Sequence, residues 1–300
     1  MGKTTGIEWT DSTWNPIRGC SRVSDGCRNC YAESVAARFS KPGQAYEGLA
    51  EFRVIGKGTP EERTEPHWTG KVALIEKHLE DPLRWKEPRK IFVNSMSDLF
   101  HPGVKDEWLM KIFTVMAQAP QHKFQVLTKR PERMRDVLGN AEVAKYFLGA
   151  FGAWPLPNAW WGVSIEDQDS ANHRLPILAQ CIAAVRMVSY EPALGPVDFV
   201  EAIGGIAINV AAFVWILCGG ESGDNARPMH PDWARSTRDV CQRAGVPFFF
   251  KQWGVWRPGE SKDFGKFKDD TTTGQFMVRV GKKSAGSHLD GVEWKQFPQC

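Results

Sequence analysis

Three of the chain's seven cysteines fall within eleven residues, in "GCSRVSDGCRNC": Cys20, Cys27 and Cys30, spaced C-x6-C-x2-C. This pattern can do chemistry. A C-x2-C at the start of a helix lets two sulfurs converge while the first N–H groups and the helix dipole favour the thiolate. Cys20, at the end of the preceding strand run "TWNPIRG", supplies a third thiol. A structural zinc site closes four ligands in a tetrahedron, but the next histidine is His67 and the next cysteine Cys181. Three thiolates without a local fourth ligand suit an iron–sulfur cluster with one iron left open. A zinc site with a distant fourth ligand, and three thiols brought together by chance, are the alternatives.

The elements that must position these thiols form a repeating pattern. Short β-rich runs at "KVALI" (71–75), "KIFVNS" (90–95), "KFQVLT" (123–128), "WWGVSI" (160–165), "VRMVSY" (185–190), "FVWILCGG" (213–220) and "PFFFKQ" (247–252) join "TWNPIRG" to make eight. Helical segments lie between them. In "DEWLMKIFTVMAQA", Trp108, Leu109, Ile112, Phe113 and Met116 share one face, with Asp106 as N-cap. "HPDWARSTRDVCQRAG" should end at Gly245 as its C-cap. Near-continuous apolar strands alternating with amphipathic helices indicate a parallel sheet covered by helices, and eight repeats favour a TIM-barrel-like fold, a full or partial β/α barrel. In such a fold the functional groups sit where strands end. Here "NSMSDLFHP", "LTKRP", "SIEDQD", "SYEPALGP", "GGESGDNARP" and "KQWG" carry the charges and histidines, whereas the strands are almost bare of both. The domain expectation is a barrel over 1–256, with a Gly-, Pro- and charge-rich insertion at 41–70 that could lid the site, and a C-terminal extension at 257–300.

Composition narrows the class. With 38 basic and 35 acidic residues the net charge is only +3, so no global nucleic-acid footprint is present. "MGKTTGIEWTDSTW" has no apolar signal region, and an unevenly spread, odd number of cysteines argues against a disulfide framework; the expectation is a cytoplasmic protein. Residues 202–220 run nineteen positions without a charge, long enough for a membrane span. Four glycines, Asn209 and the absence of Lys or Arg between Arg186 and Arg227 favour a linker and a buried strand instead.

"WNPIRGC" followed by "GCRNCYA" resembles the cluster-binding start of radical S-adenosylmethionine (SAM) enzymes, especially the spore photoproduct lyase-like branch. Its first spacing is three residues longer than the usual pattern, and Asn29 replaces an aromatic residue. "NSMSDLFHPGVKDEW", "FQVLTKRPERMRDVL" and "WWGVSIEDQDSANHR" resemble three further segments of that branch, in the same order. Over nearly its full length the chain is also similar to a bacteriophage and bacterial family of unknown function named for its three-Cys motif, with "MSDLFH", "LTKRPERM", "GVSIE", "SYEPALGP", "GGESG" and "FFFKQWG" as hallmarks.

The resemblance implies a 4Fe-4S cluster on Cys20, Cys27 and Cys30, with SAM on the open iron and reductive cleavage to a 5′-deoxyadenosyl radical. It places Lys129 near the SAM carboxylate; Ser97, Asp98, Ser164 and Glu191 complete the cofactor-binding set, and Glu221, Arg227 and Lys251 are assigned to substrate. Ordinary alternatives stand beside these roles: strand-end caps for the serines and Asp98, a solvated basic run for Lys129, and core packing for Trp253. A reducing partner such as flavodoxin or ferredoxin is implied. Nucleic acid or a nucleotide is the favoured substrate class, since thirteen tryptophans and local basic runs could stack bases and meet phosphates. No catalytic residue is assigned. The competing readings are a non-enzymatic iron–sulfur or zinc protein that binds nucleic acid or a protein partner, and a metal-dependent hydrolase barrel, for which seven scattered histidines do not supply a ligand set.

Overall fold

A computed structural model of the chain describes residues 5–204, 210, 212–266, 268–272 and 274–299. It divides into two compact units, residues 1–128 with 140–159, and residues 129–139 with 160–300.

The first unit begins with β1 (Ser12–Trp14) and β2 (Ile17–Arg18), followed by α1 (Tyr31–Arg38), the strands β3 (Ala50–Ile55) and β4 (Arg63–Trp68), and β5 (Ala73–Leu74). β6 (Lys90–Val93), α2 (Asp106–Gln118) and β7 (Lys123–Thr128) follow. The chain then gives α3 (Pro131–Leu138) to the second unit and returns α4 (Ala141–Phe151) to the first. β1, β6 and β7 are parallel, with Trp14 opposite Val93 and Val93 opposite Val126. Trp14, Ile91, Val93, Phe124 and Val126 are buried while Phe92 and Leu127 are half-buried, and Trp14 meets Phe124 with ring centroids 5.7 Å apart. Helix α2 buries Leu109, Ile112, Phe113 and Met116 of the stripe its periodicity predicts, and Val115 beside them, while Trp108 is half-buried. Its N-cap is Lys105, so Asp106 sits in the first turn instead.

The second unit holds β8 (Ala159–Ile165), α5 (Gln168–Gln180), β9 (Val185–Tyr190), α6 (Phe199–Ala202), β10 (Trp215–Gly219), α7 (Pro231–Ala244) and β11 (Phe248–Gln252). β8, β9, β10 and β11 are parallel neighbours in that order. Trp215 packs edge-on between Trp160 and Phe249, at 5.9 and 5.8 Å. α7 ends at Gly245 in the left-handed conformation, as predicted.

The α/β class is therefore present, with seven parallel strands among the described residues rather than eight. The eighth expected run, 71–75, forms β5, which pairs antiparallel with β2 and lies outside the parallel set. Its apolar run is as strand-like as the others, but a run does not state its partner. Segment 41–70 contains the antiparallel pair β3–β4. Within 202–220 the structure places β10, as the buried-strand reading required; residues 205–209 and 211 of that stretch are outside the described residues. No helix of the described residues is long and apolar enough to cross a membrane.

After β11 come β12 (Trp256–Pro258), β13 (Asp269–Asp270) and β14 (Met277–Arg279), an antiparallel set with β14 in the middle. Arg257 anchors it by donating to both carboxylate oxygens of Asp263, at 2.8 and 3.1 Å. Those bonds, with the Glu260 N–H, hold Asp263 at about 2 against an ordinary 3.8. A depressed carboxyl stabilises the fold above its unfolded pKa and loses that contribution as pH falls through its folded one. The window is about pH 4 down to about 2. Arg257→Gln is expected to raise the acid-unfolding midpoint of this segment, read by fluorescence of the neighbouring Trp256. An unchanged midpoint would show that the pair contributes nothing there.

Candidate three-cysteine site

Cys20 lies two residues past the end of β2. Its predecessor Gly19 has φ +90°, and a Cβ there would sit 2.1 Å from the Lys71 carbonyl oxygen. Gly19 also bridges Ser97 in parallel fashion. Only a residue without a side chain fits between these two backbones, so Cys20 leaves from a fixed point. The next residue is held as well: Ser21 Oγ lies 2.9 Å from His101 Nε2, in a buried imidazole whose Nδ1 accepts from the Gly103 N–H at 3.0 Å. That acceptor role leaves the ring proton of the neutral tautomer on Nε2, which donates to Ser21.

Arg22, in the longer first spacing, reaches back to α1. It donates to Glu33 Oε1 at 3.1 Å and to Oε2 at 2.9 and 2.6 Å, and to the Pro66 carbonyl at 3.2 Å. Glu33 is 1% exposed; its Oε1 also accepts the Trp68 N–H at 2.8 Å. The chain then turns through Asp25–Cys27, where the Cys27 N–H donates to Ser24 O at 3.0 Å, and Cys30 becomes the N-cap of α1. The Cys30 N–H donates to Cys27 O at 3.4 Å, which keeps the C-x2-C segment compact. Cys20 and Cys30 both pack against the buried cluster that includes Ala32, Ala36, Leu49 and Trp68. Burial pushes the Cys30 thiol up, while the Glu33 and Ala32 N–H groups draw it down and the neighbouring Cys27 adds to the rise. All three thiols are half-buried and none is in a disulfide.

The predicted "NSMSDLFH" segment faces this loop from β6. Ser97 Oγ donates to the Ile17 carbonyl at 2.9 Å, and Tyr31 donates to Ser95 O at 2.8 Å. Buried Asp98 accepts from Thr128 Oγ1 at 2.7 Å and from the Phe100 N–H at 2.9 Å. Ser97 and Asp98 are thus tied into the fold around the loop. Two residues that sequence reasoning missed are Asn15 and Asn94. Asn15 Oδ1 accepts from Ser95 Oγ and the Met96 N–H at 3.2 and 3.1 Å. Asn94 is 3% exposed, adopts φ +62°, and its Nδ2 has no partner among the described residues. A non-glycine residue held there costs about 1–3 kcal/mol and marks a constrained position. The available signal was its place at the strand end, directly before "SMSD".

In the second unit three successive strands are each followed by a carboxylate with its own cation. Lys129, expected near a SAM carboxylate, pairs with Glu166, a residue the sequence reading passed over. Arg174 donates to Glu166 Oε2 at 2.8 Å and to the Ser164 carbonyl at 2.6 Å. Glu191 receives Lys251 at 3.0 Å through Oε2, while its Oε1 is shielded and unpartnered among the described residues. Glu221 holds Arg227 at 2.7 and 3.0 Å. Around Glu221 two backbones touch: a Cβ on Gly220 would lie 2.0 Å from the Trp253 carbonyl, and one on Gly254 2.0 Å from that of Glu221. Trp253 is core, donating to His288 O at 2.8 Å.

Among the described residues no three His, Cys, Asp or Glu side chains meet on one metal ion. A four-iron cluster does not ask for that, because each thiolate bonds its own iron. The donor set, thiols alone on a braced loop, fits such a cluster.

These features define a parallel β/α protein whose first strand leads into a three-cysteine loop. Over residues 4–298 the chain matches the family described as protein of unknown function (DUF5131), and it belongs to that family. No curated protein matches it. Solved structures of spore photoproduct lyase are similar at low level: a cysteine-to-serine variant with TM-score 0.40 and 12% identity over 95% of this chain and 74% of that one, and a tyrosine-to-phenylalanine variant with TM-score 0.38 and 11% identity over 90% and 68%. Similarity at that level says nothing about this chain's chemistry.

Gly19→Ala is expected to cost about 1–3 kcal/mol more stability than Gly43→Ala, from the clash with the Lys71 carbonyl, read as a lower urea midpoint. Gly43→Ala is the control, since Gly43 also has positive φ (+78°) but nothing within 4 Å of a Cβ. Equal losses in the two variants would show that the Lys71 contact does not constrain the Cys20 backbone.

Proposed function

We propose that this protein is a radical SAM enzyme built on a partial β/α barrel, with a 4Fe-4S cluster held by Cys20, Cys27 and Cys30. The observation that carries this reading is the three-thiol loop at the first strand-to-helix connection, braced by an ion pair to the buried Glu33 and lacking a fourth protein ligand in its sequence neighbourhood. Held by Cys20, Cys27 and Cys30, the cluster would supply the electron for reductive cleavage of SAM.

The chain's own residues would do the following. Gly19, Ser97 and His101 fix the backbone that carries Cys20, and the N–H groups at the start of α1 stabilise the thiolate of Cys30. Ser97 and Asp98 are proposed as ribose contacts; Asp98 would then be shared with Thr128. In the second unit, Glu191 Oε1 is a buried acceptor suited to an amine or hydroxyl of a ligand. Ser164 lies at the end of β8 beside Glu166, and Lys129 would reach a ligand carboxylate by leaving Glu166. Glu221, Arg227 and Lys251 are proposed for substrate, with nucleic acid or a nucleotide as its class. A flavodoxin- or ferredoxin-like donor would deliver the electron.

The test is anaerobic reconstitution with iron and sulfide, followed by dithionite and SAM. Wild type is expected to form 5′-deoxyadenosine, and Cys27→Ala to fall to background. A protein that takes up one zinc and no cluster overturns the reading.

A further inference from the structure

The chain's cluster loop is longer than the common one: six residues, "SRVSDG", separate Cys20 from Cys27. A longer loop is looser unless something fixes it. Arg22 fixes it, because a two-pronged guanidinium–carboxylate contact sets orientation as well as distance. Its partner Glu33 lies in the first turn of α1, three residues past Cys30, so the pair ties the middle of the long spacing to the helix that Cys30 caps. The same carboxylate accepts from the Trp68 N–H, and Arg22 donates to Pro66 O, so β4 is clamped to both.

We propose that Arg22 is a positioning residue of the three-cysteine loop, and that the Arg22–Glu33 pair biases the reduction potential of the cluster, the cation raising it and the carboxylate lowering it. This rests on the cluster reading above. Reduction adds negative charge, which a nearby cation favours and a nearby anion opposes.

The experiment compares wild type with Arg22→Gln, Arg22→Lys and Glu33→Gln after anaerobic reconstitution. Iron and sulfide per chain, and the midpoint potential from an EPR-monitored dithionite titration, are the readouts; far-UV circular dichroism reports folding. Arg22→Gln is expected to load less cluster and to shift the reduced-to-oxidised ratio about tenfold toward oxidised, ~59 mV lower for one electron. Arg22→Lys keeps the charge without the fork, and should load less cluster at the wild-type potential. Glu33→Gln should move the potential upward. Opposite shifts are something a merely structural clamp would not produce. Should Arg22→Gln fail to fold, the Arg22→Lys and Glu33→Gln pair decides the matter. Wild-type loading and potential in the Arg22 variants, or shifts of one sign in both charge-removing variants, overturn the inference while leaving the cluster reading intact. A wild-type protein that holds no cluster strikes the cluster reading itself.

Discussion

A buried carboxylate is the constraint on which the first unit depends. Glu33 is almost fully removed from water, and a charge in that position persists only if it is paired and its oxygens are filled. Arg22 and the Trp68 N–H do this, and in doing so join three pieces of chain distant in sequence: the cysteine loop, helix α1 and strand β4. The pair is not a surface salt bridge, whose worth would be small. It converts a loop that could wander into one whose middle is pinned. Two-stranded segments such as β3–β4 are marginal alone, so the same contact gives that pair a reason to be where it is.

The second unit solves a related problem differently. Its strands end in carboxylates, Glu166 and Glu221 among the buried ones, and each is met by a cation from another strand end or the following segment. Glu191 is the exception in detail, because Lys251 satisfies one oxygen and leaves the other enclosed. The close approach of backbones at Gly220 and Gly254 sets the geometry there, since the loops after β10 and β11 sit in direct contact. Polar strand ends on largely apolar strands are thus kept by local pairing, with Arg186 and Lys251 the charges within β8–β11.

Much of this was legible in the sequence. Seven of the eight apolar runs are parallel strands; the buried face of α2 and the cap at Gly245 lie where periodicity and glycine chemistry put them. The three cysteines stood out by type and spacing. What could not be read was partnership. Residues 71–75 look like any other strand, yet pair antiparallel with β2. Lys129 looked like the start of a solvated basic run or a ligand contact, and its partner Glu166 lies thirty-seven positions away. Arg22 appeared only as filler in an overlong spacing, because its fork finds Glu33 and Pro66 through tertiary structure. Asn94 was hidden for another reason: a left-handed backbone is announced by glycine, and an asparagine there gives a weaker signal.

The contact between Gly220 and Gly254 bears on how relatives of this chain should be compared. Neither glycine presents a functional group, yet any side chain at either would drive a carbonyl of the opposing loop out of place. Both positions are therefore expected to stay fixed across the family for steric reasons alone. A ranking of residues by invariance would set them level with the cysteines, and would mistake a fit between two loops for chemistry.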